Sequence, residues 1–192
     1  MPTKPRRIAV LIGSLRAESF NRRLALALAR LAPPGVTLQH LAIDDLPLYN
    51  QDQDAAMPEP ARRLKREIEA ADALIIVTPE YNRSIPGVLK NAIDWASRPY
   101  GSNSFARKPG AVIGTSPGAI GTANAQQHLR TVLAYLDVPT LGQPEAFVQF
   151  KKDLINDGGV VSDASTEAFL KQWLEAALRW FDDVDVAKSA QR

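Results

Sequence analysis

The chain has 192 residues, 45% hydrophobic and 23% charged, a globular composition long enough for one domain with a full sheet-and-helix core. Its 23 basic and 21 acidic residues leave a formal charge of +2, too balanced for nucleic acid to be the expected partner. Cysteine is absent, which excludes disulfides, thiolate metal sites and cysteine nucleophiles, and neither His40 nor His128 has a second histidine at metal-ligand spacing.

Taken in order, the chain opens on the basic stretch Met1–Arg7, and the apolar run behind it stops at Gly13. That is too short for a signal peptide, and no segment reaches the roughly 18 apolar residues of a membrane span, so a cytoplasmic location is expected. Strand one is read at 6–12. Helix one runs from about 20 to Ala32, with Leu24, Leu28 and Leu31 on one stripe, and Pro33-Pro34-Gly35 stops it. Val36 to Ile43 alternates apolar and polar, the pattern of a half-exposed strand near a sheet edge. Residues 44–57 read as a long loop of the functional or mobile kind. Helix two opens at Pro58 or Pro60 and ends near Ala71, with a solvated charged face. Ala73–Val77 is continuously apolar, which predicts a central strand covered on both faces. Helix three covers 87–97, strand four 111–115 and helix four 123–136. Strand five is short, near Thr140–Leu141, with an extension toward Phe147. Residues 151–162 form a polar loop. The last helix spans 163–181 with Phe169, Trp173, Leu174 and Leu178 facing inward, and 182–192 reads as a frayed tail.

Strict alternation of strands and helices predicts a three-layer α/β fold, a parallel sheet with helices on both faces. Five strands with one switch point match the flavodoxin-like order 2-1-3-4-5, in which ligands sit beyond the carboxyl ends of the strands. The loops after strands one, three and four are therefore expected to meet.

All three loops are unusual in composition. The first, Gly13-Ser14-Leu15-Arg16-Ala17-Glu18-Ser19-Phe20-Asn21, leads from a strand into a helix N-terminus, where unpaired N–H groups and partial positive charge suit an anion. It lacks G-x-x-x-x-G-K-[ST], and it has one glycine where a dinucleotide fingerprint needs three. What remains is a single terminal phosphate held by hydroxyls, or an ordinary connection with Ser19 as N-cap. The second, Thr78 to Gly87, brackets an aromatic and an amide between Pro79 and Pro86. The third, Ser116 to Thr122, is built of small residues that let backbone approach a flat ligand. A planar heterocycle joined to one phosphate fits, and flavin mononucleotide (FMN) has that shape.

Two motifs then make a resemblance specific. Gly13-Ser14-Leu15-Arg16-x-x-Ser19-Phe20-Asn21, followed by Pro79-Glu80-Tyr81-Asn82-x-Ser84-Ile85-Pro86-Gly87-x-Leu89-Lys90-Asn91-Ala92-Ile93-Asp94-Trp95, resembles the NADPH-dependent FMN reductase family, which includes soluble quinone and chromate reductases. The resemblance implies non-covalent FMN, NADPH or NADH as co-substrate, a small-molecule electron acceptor and a homodimer or homotetramer. It assigns Ser14, Leu15, Arg16, Ser19, Phe20 and Asn21 to the FMN phosphate and its approach. Pro79, Glu80, Tyr81 and Asn82 would wrap the flavin ring, with backbone N–H groups at 80–82 toward its edge. Ser116, Pro117 and Gly118 would reach the pyrimidine end. Arg83 departs from the pattern, standing where relatives often carry a small or aromatic residue; its charge would help attract the nicotinamide phosphates at the substrate mouth. The implied reaction passes hydride from NAD(P)H through flavin N5 to a quinone, flavin, azo or chromate acceptor, with the chemistry carried by the cofactor.

Other readings stay open at this level. Tyr81 serves equally as a loop anchor, Trp95 reads as packing, and Arg130 with Glu145 reads as a subunit-interface pair, an intrachain pair or two solvated charges. An electron carrier of flavodoxin type without a substrate of its own is the alternative function. A phospho-acceptor receiver domain is excluded, because Gly13-Ser14 and Thr78-Pro79 stand where that chemistry needs carboxylates.

Overall fold

The apolar run behind the basic start is strand β1 (Arg6–Ile12) of a computed structural model that describes residues 5–190. Met1 to Lys4 of that basic start, and residues 191–192, lie outside the described residues. β1 pairs with β2 (Val36–Leu41) on one side and with β3 (Ala73–Val77) on the other. β4 (Gly110–Ser116) pairs with β3, and β5 (Phe147–Gln149) with β4. Every pairing is parallel, and the order is β2-β1-β3-β4-β5, the expected flavodoxin-like arrangement. All of β3 is buried, whereas only Leu41 of the edge strand β2 is.

Period-two alternation divides the sheet between two helical layers. Ile8, Val10 and Ile75 face α1 (Phe20–Leu31) and α5 (Ala164–Ala190), packing on Leu24, Leu28, Trp173 and Phe181. Ala9, Leu11 and Ile76 face the opposite layer of α2 (Glu59–Glu69), α3 (Gly87–Ala96) and α4 (Ala123–Tyr135), packing on Leu64, Ile68, Leu89, Ile93 and Leu129. Among the described residues, no helix is long and apolar enough to cross a membrane.

The structure differs from the sequence reading in four places. Thr140 makes only an isolated bridge to Gly110, and the fifth strand is Phe147–Gln149, because Gly142 and Pro144 interrupt any continuation between them. α5 runs on to Ala190 through the stretch read as a tail. There Asp182 and Asp185 reach the buried Arg6 guanidinium at 2.5 and 3.0 Å, and Val184 is buried. Phe169 is 36% exposed while its neighbour Leu170 is fully buried. The inward stripe is Leu170, Trp173, Leu174, Ala177, Leu178 and Phe181, so Trp173, Leu174 and Leu178 face inward as expected and Phe169 alone falls outside it. The 44–57 loop contains a 3-10 helix, Gln51–Ala56, and is tied down by α3. Pro47 O accepts from Asn91 Nδ2 and Trp95 Nε1, and Tyr49 N donates to Asn91 Oδ1. Trp95, fully buried, is the packing residue it was read to be.

Candidate functional site

The site begins where β1 becomes α1. Gly13 lies against the β3 loop so closely that a β-carbon there would stand 3.2 Å from Pro79 Cδ and from Leu89 Cδ2. The lack of a side chain brings the first two loops together. Ser19 caps α1, its Oγ accepting from Arg22 N at 3.3 Å. It is 2% exposed and still lines the central hollow, where its O–H can donate. Arg16 lies over the Phe20 ring at 5.4 Å, and Phe20 stacks on Phe150 with centroids 4.1 Å apart. Among the described residues Arg16 makes no ion pair, so its charge is available to an anion.

Asn21 has a different duty. Its Oδ1 accepts from Thr115 N at 3.0 Å, and its Nδ2 donates to Thr115 O at 2.9 Å, both in the interior. The side chain fastens the start of α1 to β4, which fixes the first loop relative to the third.

The loop after β3 is organised by Glu80. Its carboxylate accepts from the backbone N–H of Asn124 (3.0 Å) and Ala125 (3.1 Å), from Asn124 Nδ2 and from Arg83 Nη1. Glu80 therefore caps α4, where negative charge meets the positive helix end. Burial pushes its carboxyl up, but the hydrogen bonds from Ala125, Asn124 and Arg83 outweigh that and hold it below the ordinary 4.5. With the side chain turned to α4, only the Glu80 backbone is left for a ring. Tyr81 and Ser84 then exchange two backbone hydrogen bonds of 3.0 Å around Asn82 and Arg83. Both central residues have positive φ, 53° and 65°, the signature of a type I′ turn. His128 on α4 holds the turn from outside through Nδ1 and Ser84 Oγ at 3.0 Å. After β4, Ser116 Oγ accepts from Gly118 N at 3.2 Å and stiffens the third loop.

The three loops meet, as expected, around one hollow of about 250 Å³. Its walls bring together Ser14, Arg16, Ser19, Phe20 and Asn21 from the first loop, Pro79, Glu80 and Tyr81 from the second, and Ser116 and Pro117 from the third. Thr115 also lines it and had no sequence signal beyond its place at the end of an apolar strand. Four of the expected residues lie off this wall. Leu15 is 56% exposed, Arg83 projects outward beside Glu80, and Asn82 and Gly118 sit at the exposed tips of their loops. A larger hollow of about 620 Å³, between β5 and the start of α5, touches none of the three loops. No group of three His, Cys, Asp or Glu positioned for a metal occurs among the described residues. Among the described residues Arg130 and Glu145 form no intrachain pair. Arg130 donates to Leu141 O, and Glu145 accepts from Gln127 Nε2.

Hydroxyls, one available guanidinium, a helix N-terminus and planar proline, phenylalanine and tyrosine walls fit a phosphate joined to a flat ring. Comparison with known proteins points the same way. Residues 6–153 match the family model described as NADPH-dependent FMN reductase. A 2-hydroxy-1,4-benzoquinone reductase of Burkholderia sp. is 51% identical over 177 residues, covering 92% of this chain and 97% of that protein. A quinone reductase of Pseudomonas putida is 47% identical over 174 residues, covering 90% and 93%. The solved structure of FerB, a flavoenzyme NAD(P)H:(acceptor) oxidoreductase from Paracoccus denitrificans, superposes with a TM-score of 0.89 at 46% identity, covering 93% of this chain and 98% of that one.

Proposed function

The chain belongs to the NADPH-dependent FMN reductase family, and from that premise we propose that the three-loop hollow holds FMN for the NAD(P)H-dependent reduction of quinones. One observation carries this reading: three loops separated in sequence converge on a single hollow whose first wall offers Ser14, Ser19 and the unpaired Arg16. FMN, when bound, supplies the atom that accepts and returns hydride. Ser14, Ser19, Arg16 and the α1 N-terminus hold its phosphate. Asn21 acts through Thr115, keeping that phosphate end in register with β4. Pro79 and Tyr81 wall the ring, and Ser116 and Pro117 close its pyrimidine end. The type I′ turn fixes the backbone at 80–82, and Glu80 fixes the turn. The Tyr81 N–H is spent on Ser84 O, so the N–H groups of Glu80 and Asn82 are those left for the ring edge, where they favour the electron-rich reduced cofactor.

Arg83 at the outer rim attracts the phosphates of the incoming nicotinamide co-substrate, its charge partly offset by Glu80 at 3.2 Å. Quinone is the acceptor class; azo dyes and chromate are further acceptors to be assayed alongside it. The reading also includes a homo-oligomer working in the cytoplasm.

The test is an ultraviolet–visible spectrum of the purified protein, then NADPH addition with and without a quinone. Yellow protein that bleaches with NADPH and turns over only with quinone present is the expected result. Protein that stays colourless after incubation with FMN overturns the reading. Light scattering on the same sample reports the oligomer.

A further inference from the structure

A second hollow, of about 330 Å³, opens on the other side of the phosphate loop, toward the carboxyl end of β2. Ser14 and Arg16 line both hollows, so the loop is the wall between them. The remaining lining includes Arg22 from the first turn of α1, His40 from β2 and Asp44 just beyond it.

The charges here run against what the helix itself prefers. A helix N-terminus is partially positive and disfavours cations. α1 nonetheless begins Phe20-Asn21-Arg22-Arg23, with no acidic residue in its first turn. Arg23 is compensated by Asp157 at 2.5 Å. Arg22 and Arg16 make no ion pair among the described residues. With Arg16 given to the FMN phosphate, Arg22 is the guanidinium left uncompensated beside a positive helix end; that costs stability unless an anion joins it, and such breaches of local preference mark functional sites. Desolvation of the ring and the Arg22 charge together hold His40 below the usual imidazole range, against a backbone hydrogen bond at Ala25. Near neutral pH it is then an uncharged hydrogen-bonding group. Asp44 is the one carboxylate of the lining, suited to a ribose hydroxyl.

We propose that this second hollow receives the adenosine end of NADPH, with the 2′-phosphate on Arg22, and so selects NADPH over NADH. The proposal rests on the cofactor reading of the first hollow. A dinucleotide whose nicotinamide lies on a ring there must carry its adenosine past one side of the site. The side beyond Arg16 offers both room and the unpaired charge of Arg22. A phosphate dianion suits the planar guanidinium fork of Arg22, whereas a 2′-hydroxyl gives it no counter-charge.

FMN-loaded protein should be titrated calorimetrically with 2′,5′-ADP, 5′-AMP and inorganic phosphate, as wild type, Arg22→Ala and Arg22→Lys. The expected result is at least tenfold tighter binding of 2′,5′-ADP than of either other probe. Arg22→Ala removes that advantage and Arg22→Lys restores part of it. In steady state, Arg22→Ala raises the NADPH KM about tenfold and leaves kcat and the NADH KM within twofold. Three results would overturn the proposal: 2′,5′-ADP binding no better than 5′-AMP, inorganic phosphate matching 2′,5′-ADP, or an equal KM change for both co-substrates. Protein that never retains FMN defeats the redox reading instead, and the nucleotide titrations on that same chain still decide this one.

Discussion

At the scale of single residues, the site is set by polar side chains that bond inward. Thr115 is 1% exposed, and its backbone N–H and C=O find their partner in Asn21. Asn21→Ala leaves both without one, at roughly 1–3 kcal/mol for each unsatisfied group. The variant is expected to lose about 2–3 kcal/mol in urea unfolding and to release FMN more readily. Glu80 gives a pH signature. Its folded pKa lies below the ordinary 4.5, so its stabilising contribution is complete above that pH and disappears as pH falls through the lowered folded value. Urea midpoints measured from pH 7 down to pH 3 should fall more steeply for wild type than for Glu80→Gln. Parallel curves would show that the cap carries no charge-dependent stability.

At the scale of elements, α5 is the one whose extent depends on a distant partner. The Arg6 side chain is 3% exposed, and Asp182 and Asp185 supply its counter-charge from the far end of the chain. Replacing both aspartates by alanine strands a buried guanidinium. The expected cost is about 2–3 kcal/mol, below the full penalty of a broken buried pair because water reaches both carboxylates. Guanidinium chloride unfolding of the double variant measures it. The polar loop 151–162 is held to α1 both by the Arg23–Asp157 ion pair and by close contact: Gly159 has φ +76°, and a β-carbon there would lie 2.7 Å from the Leu26 carbonyl carbon. Of its glycine pair, Gly159 records close approach to α1.

At the scale of the whole molecule, the sheet places three loops at one rim, and a ligand bridging them ties α1, β3 and β4 together. FMN at about 100 times its dissociation constant should add roughly 2.7 kcal/mol of stability. For a chain of this length that is an upward Tm shift of roughly 5–10 °C. Scanning calorimetry with FMN and with inorganic phosphate separates binding of the whole cofactor from binding of its anion. A shift of equal size with both would mean that the second and third loops contribute nothing.

The sequence by itself determined the strand order, the rim and most of the residues lining it. Each of those rests on local pattern: period-two and period-3.6 burial, the prolines that stiffen the second loop, and motifs contiguous in the chain. Only the tertiary structure decided which way the polar side chains of those motifs turn. Asn21 and Glu80 belong to the site's motifs, yet they spend their hydrogen bonds on β4 and α4, 94 and 44–45 residues away. Likewise, the last turns of α5 depend on Arg6, 176 residues from Asp182, and the 44–57 loop on Asn91 and Trp95. A buried polar group must find a partner wherever the fold supplies one, and that partner leaves no trace in the neighbouring sequence.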